Sequence, residues 1–202
     1  MLPASCGSSP PARHSGRSEL TEAQSVGGQK NQEPLPPEHE VTDRVRITTS
    51  MGSVIVGLYG KDAPRTAQNF LKYVDRGFYA GKVFHRVIAG FMVQGGGFDA
   101  ELNRIETDDP IKLEIIPGLK HEPGILSMAR TSDPHSATSQ FFICIGIATQ
   151  LNGGYAAFGR VEEGMDTVAK ISQVPIGTVE TNNGSMADVP SDPVIIESVD
   201  RL

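Results

Sequence analysis

Alternation of apolar and polar positions predicts that the body of the chain opens with a β-hairpin. In "RVRITTSMGSVIVGLYG" apolar side chains recur at every second position on either side of a Ser-Met-Gly-Ser turn signal. The next segment, "DAPRTAQNFLKYVDRGF", changes to a helical period, with apolar residues at i, i+3, i+4 and i+7: Ala67, Phe70, Leu71 and Val74. Asp62 can cap this amphipathic helix, Pro64 suits its first turn and Gly77 ends it.

Short apolar runs after the helix predict further strands, at residues 83–88, 91–94, 111–115, 124–129, 139–145, 155–161 and 192–200. A tight-turn signal, Asn152-Gly153-Gly154, precedes the sixth of these runs. Residues 164–172 predict a second, shorter helix. Many short strands with two helices predict a mainly β fold, a closed antiparallel barrel whose ends the helices cover.

The first 41 residues differ from the rest and are predicted to be a disordered tail or tether, with one domain over residues 42–202. The tail holds six of the 14 prolines and no aromatic residue, so it cannot bury enough apolar area to offset its ordering entropy. Within it, "LPASCGSSPP" places Cys6 as at the mature start of a bacterial lipoprotein, although Leu2 lies one position too far away. The alternative is an ordinary tail with an incidental cysteine, so the bacterial cytoplasm and the cell envelope both stay open.

Composition excludes several classes of function. The chain has 18 basic and 24 acidic residues and a net charge of −6, which argues against nucleic acid or an anionic membrane as its main partner.

"GGGFDA" fits a dinucleotide fingerprint formally, but the residues after it have no apolar stripe with which to open a helix. The histidines are scattered, and Cys6 and Cys144 have no metal-ligand spacing. We therefore expect no metal and no cofactor.

Three strand segments each pair a polar side chain with a large apolar one. Period-2 geometry places Met92 with Gln94, and Phe84 with Arg86, in "VFHRVIAGFMVQGGGFD"; in "SQFFICIG" it places Gln140 with Phe142. One interpretation is that the arginine reaches solvent from a barrel edge while the glutamines bond free backbone groups. The other is a binding groove. The same rule turns His85 away from the arginine, so we expect it to be structural. Cys144 is predicted to be buried.

Several ordered motifs carry a resemblance to a known family. "VFHRVIAGFMVQGGGF", "GILSMART", "SQFFIC" and "FGRVEEGMD" follow one another as they do in the cyclophilin family of peptidyl-prolyl cis-trans isomerases, and the similarity runs from about Val45 to the C-terminus. The resemblance implies an eight-stranded antiparallel β-barrel capped by two α-helices, with a peptide groove on its outer wall. It also implies catalysis of rotation about X-Pro bonds and assistance to protein folding.

The resemblance also implies roles for ten residues. Arg86 matches the catalytic arginine, and Gln94 matches the residue that orients it. The walls of a proline pocket would be Phe91, Met92, Phe142 and Leu151. Ala129, Arg130 and Gln140 would line the peptide groove, and Tyr155 would offer a hydroxyl and a flat face to the peptide.

Three positions depart from the best-known eukaryotic pattern and resemble bacterial members instead. Gln150 stands where the groove tryptophan is expected, Tyr155 replaces a histidine and Arg130 replaces an asparagine. Because the tryptophan is tied to cyclosporin binding in the family, we expect that drug to bind weakly here. The three consecutive glycines are predicted to turn the backbone away beside the groove.

Rotation about an X-Pro bond makes and breaks no covalent bond, which agrees with the lack of a nucleophile or metal motif. The expected partners are proline-containing peptides and unfolded or flexible segments, bound by a monomer. Two other classes stay open: a proline-peptide binding module with little turnover, and a purely structural protein of the cell envelope. The intact set of Arg86, Gln94 and Phe142 favours the enzyme.

Overall fold

The computed structural model describes residues 39–182 and 184–202; most of the predicted tail, including Cys6, lies outside these residues. The strands and helices are β1 (Asp43–Thr49), β2 (Gly52–Leu58), α1 (Pro64–Asp75), β3 (Lys82–Ile88), β4 (Met92–Asp99), β5 (Ile125–Met128), β6 (Phe141–Cys144), β7 (Ala157–Glu163), α2 (Met165–Ile171), β8 (Ile176–Thr181), β9 (Gly184–Pro190) and β10 (Ile195–Arg201), with a 3₁₀ turn at Thr149–Leu151. None of the helices in the described residues is long and apolar enough to span a bilayer.

Eight antiparallel strands close into a barrel in the order β1-β10-β3-β4-β6-β5-β7-β2, which confirms the predicted fold class. The barrel interior and the apolar faces of both helices form one core, whose largest fully buried side chains include Tyr73, Tyr79, Phe70, Phe84, Phe141 and Phe158. The four apolar residues predicted for the inner face of α1 are all buried there. The core therefore fixes the barrel wall on which the outer groove is built.

The predicted cap of α1 is wrong. Asp62 does not cap the helix; its carboxylate lies 2.9 Å from Nδ1 of His39. The carboxylate of Glu114, from a loop 48 residues downstream, accepts the backbone amide of Thr66 at 2.7 Å and that of Arg65 at 3.2 Å. A distant carboxylate satisfies the free amides as well as a local cap does, and local sequence cannot reveal it.

The predicted strand at residues 111–115 is also wrong. This segment is a loop whose only ladder contact within the described part of the chain is an isolated bridge between Ile111 and Ala137. Its polar groups bond elsewhere, with the amide of Leu113 donating to Nδ1 of His135 at 3.2 Å and Glu114 capping α1. The barrel closes without this segment, so the barrel offers it no free strand edge. The β8–β9 hairpin, in contrast, was not predicted, because nearly all of β8 is exposed and carries no apolar alternation.

Strict alternation fails in β3. The β3–β4 register shifts between Phe84 and Arg86, so Phe84 turns into the core against Phe141, with ring centroids 6.0 Å apart, while Arg86 is exposed. The predicted common face of Phe84 and Arg86 is therefore wrong, since a β-bulge adds one residue and resets the period. For the same reason His85 does not point away from the groove, as described below.

The glycine run does not turn the backbone away. The strand predicted for residues 91–94 continues as β4 through all three glycines to Asp99. Gly96 has a left-handed φ of 84°, and its missing side chain leaves room for Tyr79 and Phe141 beneath it. The glycines therefore let a bulged strand lie directly on the aromatic core.

A second, smaller apolar cluster lies on the outer wall formed by β4, β6 and β5. Its buried members are Met92, Ile125, Phe142, Cys144, Ala148 and Ala157. Cys144 is fully buried, as predicted, and burial raises the pKa of its thiol to about 12. This outer cluster is the floor of the candidate site.

Candidate functional site

A cavity of about 210 Å³, here called the first cavity, opens above the outer cluster. Nine of the ten side chains singled out in the sequence line it: Arg86, Phe91, Met92, Gln94, Ala129, Arg130, Phe142, Leu151 and Tyr155. They come from β3, β4 and β6, the turn between β3 and β4, the loop after β5, the 3₁₀ turn and the loop before β7. Gln140, the tenth, lines an adjoining cavity. The fold thus brings together residues that are up to 69 positions apart in the chain.

The floor of the first cavity is apolar and firmly held. Phe142 and Met92 are nearly inaccessible to solvent, and the ring of Tyr155 meets Phe142 edge-on, with centroids 5.8 Å apart. Phe91 and Leu151 complete the walls and remain partly exposed. Such a cavity accepts a small apolar ring without leaving a polar group of its own unsatisfied.

A buried polar network that the sequence did not reveal supports Phe142 from below. The ring of His121 stacks on Phe142, with centroids 6.1 Å apart and planes 21° apart. Both Nδ1 and the backbone amide of His121 donate to Oδ1 of Asn152, at 3.0 and 2.9 Å, and Nε2 lies 3.1 Å from the hydroxyl of Ser127. Burial lowers the pKa of His121, so the network is neutral and holds the aromatic floor in one position.

The polar edge of the first cavity is formed by Arg86. Oδ2 of Asp188, on β9, lies 3.5 Å from Nε of the guanidinium. Gln94 pairs with Arg86 across β3 and β4, but its amide donates to Oε1 of Gln140 at 3.0 Å. Among the described residues no hydrogen bond joins Gln94 to Arg86, so the orienting role of Gln94 stays a prediction. Asp188, which the sequence did not single out, is the charged neighbour.

Two of the departures from the eukaryotic pattern contact each other. The guanidinium of Arg130 lies over the ring of Tyr155, 4.5 Å from its centroid. Its Nε donates to the carbonyl of Gly154 and its Nη1 to the carbonyl of Thr131, each at 2.8 Å. Stacking on the ring and hydrogen bonds to carbonyls therefore hold the guanidinium of Arg130 in one position. Because these partners are neutral, they do not cancel its positive charge.

The adjoining space, here called the second cavity, measures about 400 Å³ and shares Arg86, Gln94, Ala129 and Arg130 with the first. Its remaining walls are His85, Phe98, Arg104, Thr131, Ser136, Thr138, Gln140, Met186, Ala187 and Asp188. His85 lies on its floor beside Phe98, with ring centroids 4.5 Å apart. Burial, together with the nearby charge of Arg86, lowers the pKa of His85 to about 4, so its ring is neutral at neutral pH.

Comparison with known proteins assigns the family. A family model described as "Cyclophilin type peptidyl-prolyl cis-trans isomerase/CLD" matches residues 44–201. The chain belongs to the cyclophilin family. Among similar proteins, this cyclophilin is 46% identical over 159 residues to peptidyl-prolyl cis-trans isomerase A of Dickeya dadantii, covering 76% of this chain and 82% of the relative. It is 45% identical over 163 residues to peptidyl-prolyl cis-trans isomerase B of Escherichia coli, covering 77% and 97%.

Solved cyclophilin structures agree with the fold. A cyclophilin-type isomerase of Cryptosporidium parvum superposes with a TM-score of 0.66 at 32% identity, covering 79% of this chain and 97% of that one. The same Cryptosporidium protein in the presence of the dipeptide Ala-Pro gives a TM-score of 0.65 at 34% identity, covering 78% and 97%. The chain is thus a peptidyl-prolyl cis-trans isomerase, and the resemblance inferred from its motifs, including the bacterial character, is confirmed.

The third glycine of β4 has a place in the groove of this cyclophilin. A Cβ on Gly97 would overlap Cγ and Cδ of Gln140, the residue that accepts the hydrogen bond from Gln94. The close approach of backbone to side chain therefore requires glycine while Gln140 keeps its present position.

We expect Gly97→Ala to lower kcat/KM for an Ala-Pro peptide about fivefold, since displacing Gln140 breaks a hydrogen bond worth roughly 0.5–1.5 kcal/mol. Exchange spectroscopy measures this rate. Gly177→Ala is the matched control, because nothing lies within 4 Å of the added methyl group. An unchanged rate in Gly97→Ala would show that the glutamine pair is not needed.

Proposed function

We propose that Arg86 is the catalytic residue of this isomerase and that the first cavity holds the proline ring of the substrate. The observation that carries the proposal is that the guanidinium borders a small apolar cavity and retains exposed surface beside it, with 45% of its side chain accessible. A proline ring in the cavity would bring its own nitrogen to the edge that the guanidinium occupies.

The chemistry of X-Pro rotation suits an arginine at this edge. The barrier of ~18–20 kcal/mol arises because rotation breaks amide resonance, and the twisted transition state leaves a lone pair on a pyramidal prolyl nitrogen. A guanidinium that donates to this nitrogen stabilises the twisted state over both planar isomers. Arginine stays protonated, and its planar fork can be held on one edge while it donates from the other. The contact of Asp188 with Nε supports such an arrangement.

The hydrogen bond from the arginine cannot account for the whole rate acceleration. An acceleration of about 10⁵ requires ~7 kcal/mol, whereas one charge-assisted hydrogen bond contributes roughly 1.5–3 kcal/mol. The remainder is assigned to holding the ring in the first cavity while the flanking peptide is gripped separately along the groove. The rigid floor under Phe142 supports this division, because a ring held in one position lets the rest of the peptide rotate against it.

Exchange spectroscopy on an Ala-Pro peptide tests the proposal. We expect cis–trans exchange peaks well above those in buffer, together with peptide-induced shifts at Phe142 and Tyr155. Shifts without added exchange would instead identify a proline-peptide binding module. If the peptide causes neither added exchange nor shifts at these residues, the groove does not bind proline-containing peptides. The substrates proposed are unfolded or flexible protein segments, bound by a monomer.

Cyclosporin is proposed to bind weakly, because Gln150 occupies the tryptophan position and its side chain is exposed in the 3₁₀ turn next to Leu151. We expect Gln150→Trp to tighten cyclosporin binding at least tenfold, by adding apolar area beside the first cavity. The chain contains no tryptophan, so the new indole reports binding by its own fluorescence. Gln173→Trp, in the exposed turn that follows α2, is the control. Equal affinity in both variants would refute the assignment of this position.

A further inference from the structure

The second cavity carries an unbalanced charge. Among residues 39–182 and 184–202, three arginines, Arg86, Arg104 and Arg130, line it against a single carboxylate, that of Asp188. His85 adds no charge at neutral pH. The chain as a whole has a net charge of −6, so this concentration of positive charge is local to the groove rather than a property of the surface.

The carboxylate of Asp188 already has a positively charged partner. Asp188 lies against Arg86, whereas Arg104 and Arg130 form no ion pair with any residue of the described chain within 4 Å. Asp99, a nearby carboxylate in the sequence, instead accepts the backbone amides of Glu101 and Asn103, at 3.1 and 2.8 Å. Two guanidinium charges therefore face the second cavity without a counter-charge.

The guanidinium of Arg130 is held in place at the cavity, whereas Arg104 has an exposed side chain and only its backbone is held. Arg130 is held by carbonyls and by the ring of Tyr155, as described above, and the backbone of Arg104 is tied to Phe98 by an isolated bridge. Thr138 adds a hydroxyl to the lining of the cavity. The hydroxyls of Thr131 and Ser136 line it too, but they donate to Ser136 Oγ and to the carbonyl of Asp133. A guanidinium fork binds a carboxylate through two parallel hydrogen bonds, and fixing the fork in advance reduces the entropy lost on binding.

We propose that the second cavity binds an acidic side chain of the substrate, so that this isomerase acts preferentially on X-Pro bonds with a glutamate or aspartate within about three residues of the proline. The inference rests on the proposed function, which places the proline in the first cavity. The two cavities share four lining residues, and an extended peptide advances about 3.3 Å per residue. A side chain close to the proline therefore reaches Arg104 and Arg130.

Paired peptides test the proposal. Each pair differs only by glutamate against glutamine, at one of the three positions on either side of an Ala-Pro unit, and exchange spectroscopy gives kcat/KM for both members. At one or more positions we expect the glutamate peptide to be isomerised about fivefold faster at low salt, with the ratio falling towards one at high salt. Equal rates for every pair would overturn the inference while leaving the proposed function intact. No catalysis of any peptide would overturn the proposed function itself.

Variants locate the effect. Arg104→Gln is expected to lower the glutamate-to-glutamine ratio, and Arg104→Glu to invert it. Asp188→Asn is expected to raise the ratio, since it removes the only carboxylate lining the second cavity. Arg46→Gln is the matched control, because Arg46 is an exposed arginine on β1 outside both cavities. A ratio that falls equally in Arg46→Gln would mean that overall charge, and not the second cavity, sets the preference.

Discussion

Replacing Arg86 by alanine is expected to lower kcat/KM for an Ala-Pro peptide about 100-fold. Removing one preorganised donor from a developing charge costs roughly 10²–10³ in rate, and in the proposed mechanism Arg86 is the donor to the prolyl nitrogen. Exchange spectroscopy provides the measurement, with the peptide concentration varied to separate kcat from KM. The loss should lie mainly in kcat, because the apolar floor that holds the ring is untouched.

Two further variants make this result specific. Arg86→Lys keeps the charge but not the planar fork that Asp188 contacts at Nε, so it should recover only a small part of the rate. Arg46→Ala removes an exposed arginine elsewhere on the barrel and should change nothing. Thermal unfolding should be similar in all three proteins, since Arg86 is exposed. An Arg86→Ala protein as fast as the wild type would refute the mechanism without affecting the family assignment.

Acidification from pH 6.5 to pH 4 is expected to reduce the free energy of unfolding by up to about 3 kcal/mol through His85 alone. Burial lowers the pKa of this ring from 6.5 to about 4. Between these two values the unfolded chain binds a proton that the folded chain does not, so stability is complete above pH 6.5 and falls as the pH approaches 4. Each unit of pKa difference corresponds to about 1.36 kcal/mol. His121, also buried with a lowered pKa, acts in the same direction.

Urea unfolding at a series of pH values measures this dependence. His85→Gln should flatten the curve between pH 6.5 and 4, even where it lowers stability at neutral pH. His135→Gln is the control, because that histidine is exposed and a glutamine oxygen can still accept from the amide of Leu113 that donates to its ring. Hydrogen bonds lower the pKa of the carboxyls of Asp75, Asp99 and Asp108. Their contribution to stability is therefore lost mainly at the acid end of this range and below it. An equally steep curve in His85→Gln would show that His85 is not held neutral by the fold.

The hydrophobic pattern predicts helices and strands correctly where a single element buries one of its faces in the core. The helical period of α1 identified four residues that enter the core. Alternation identified the first two barrel strands, and short apolar runs identified the other six. It failed where a contact distant in sequence decides the outcome. Glu114 replaces Asp62 at the start of α1. Residues 111–115 have the apolar content of a strand, but the closed barrel has no free edge for them to join. A β-bulge in β3 turns Phe84 inward. No residue type in this part of the sequence indicates the bulge.

The candidate site shows the same division. Its residues were found because the motifs that carry them resemble those of a known family, and nine of the ten line one cavity. The contacts between them were not predictable. Gln94 bonds Gln140 rather than Arg86. The carboxylate beside Arg86 comes from β9, part of a hairpin whose exposed partner strand left no hydrophobic signal.

The sequence by itself determined the family, the barrel and its helices, and the identity of the groove residues, because burial periodicity and long ordered motifs are properties of the chain read in order. Only the tertiary structure decided which charges face one another. The placement of Asp188 on Arg86, and of Arg104 and Arg130 opposite no carboxylate of the described chain, depends on how the β8–β9 hairpin and the loop after β4 meet the barrel wall. Electrostatic partners are set by distance through space, and Arg86 and Asp188, 102 positions apart in the chain, come within 4 Å only once the chain has folded.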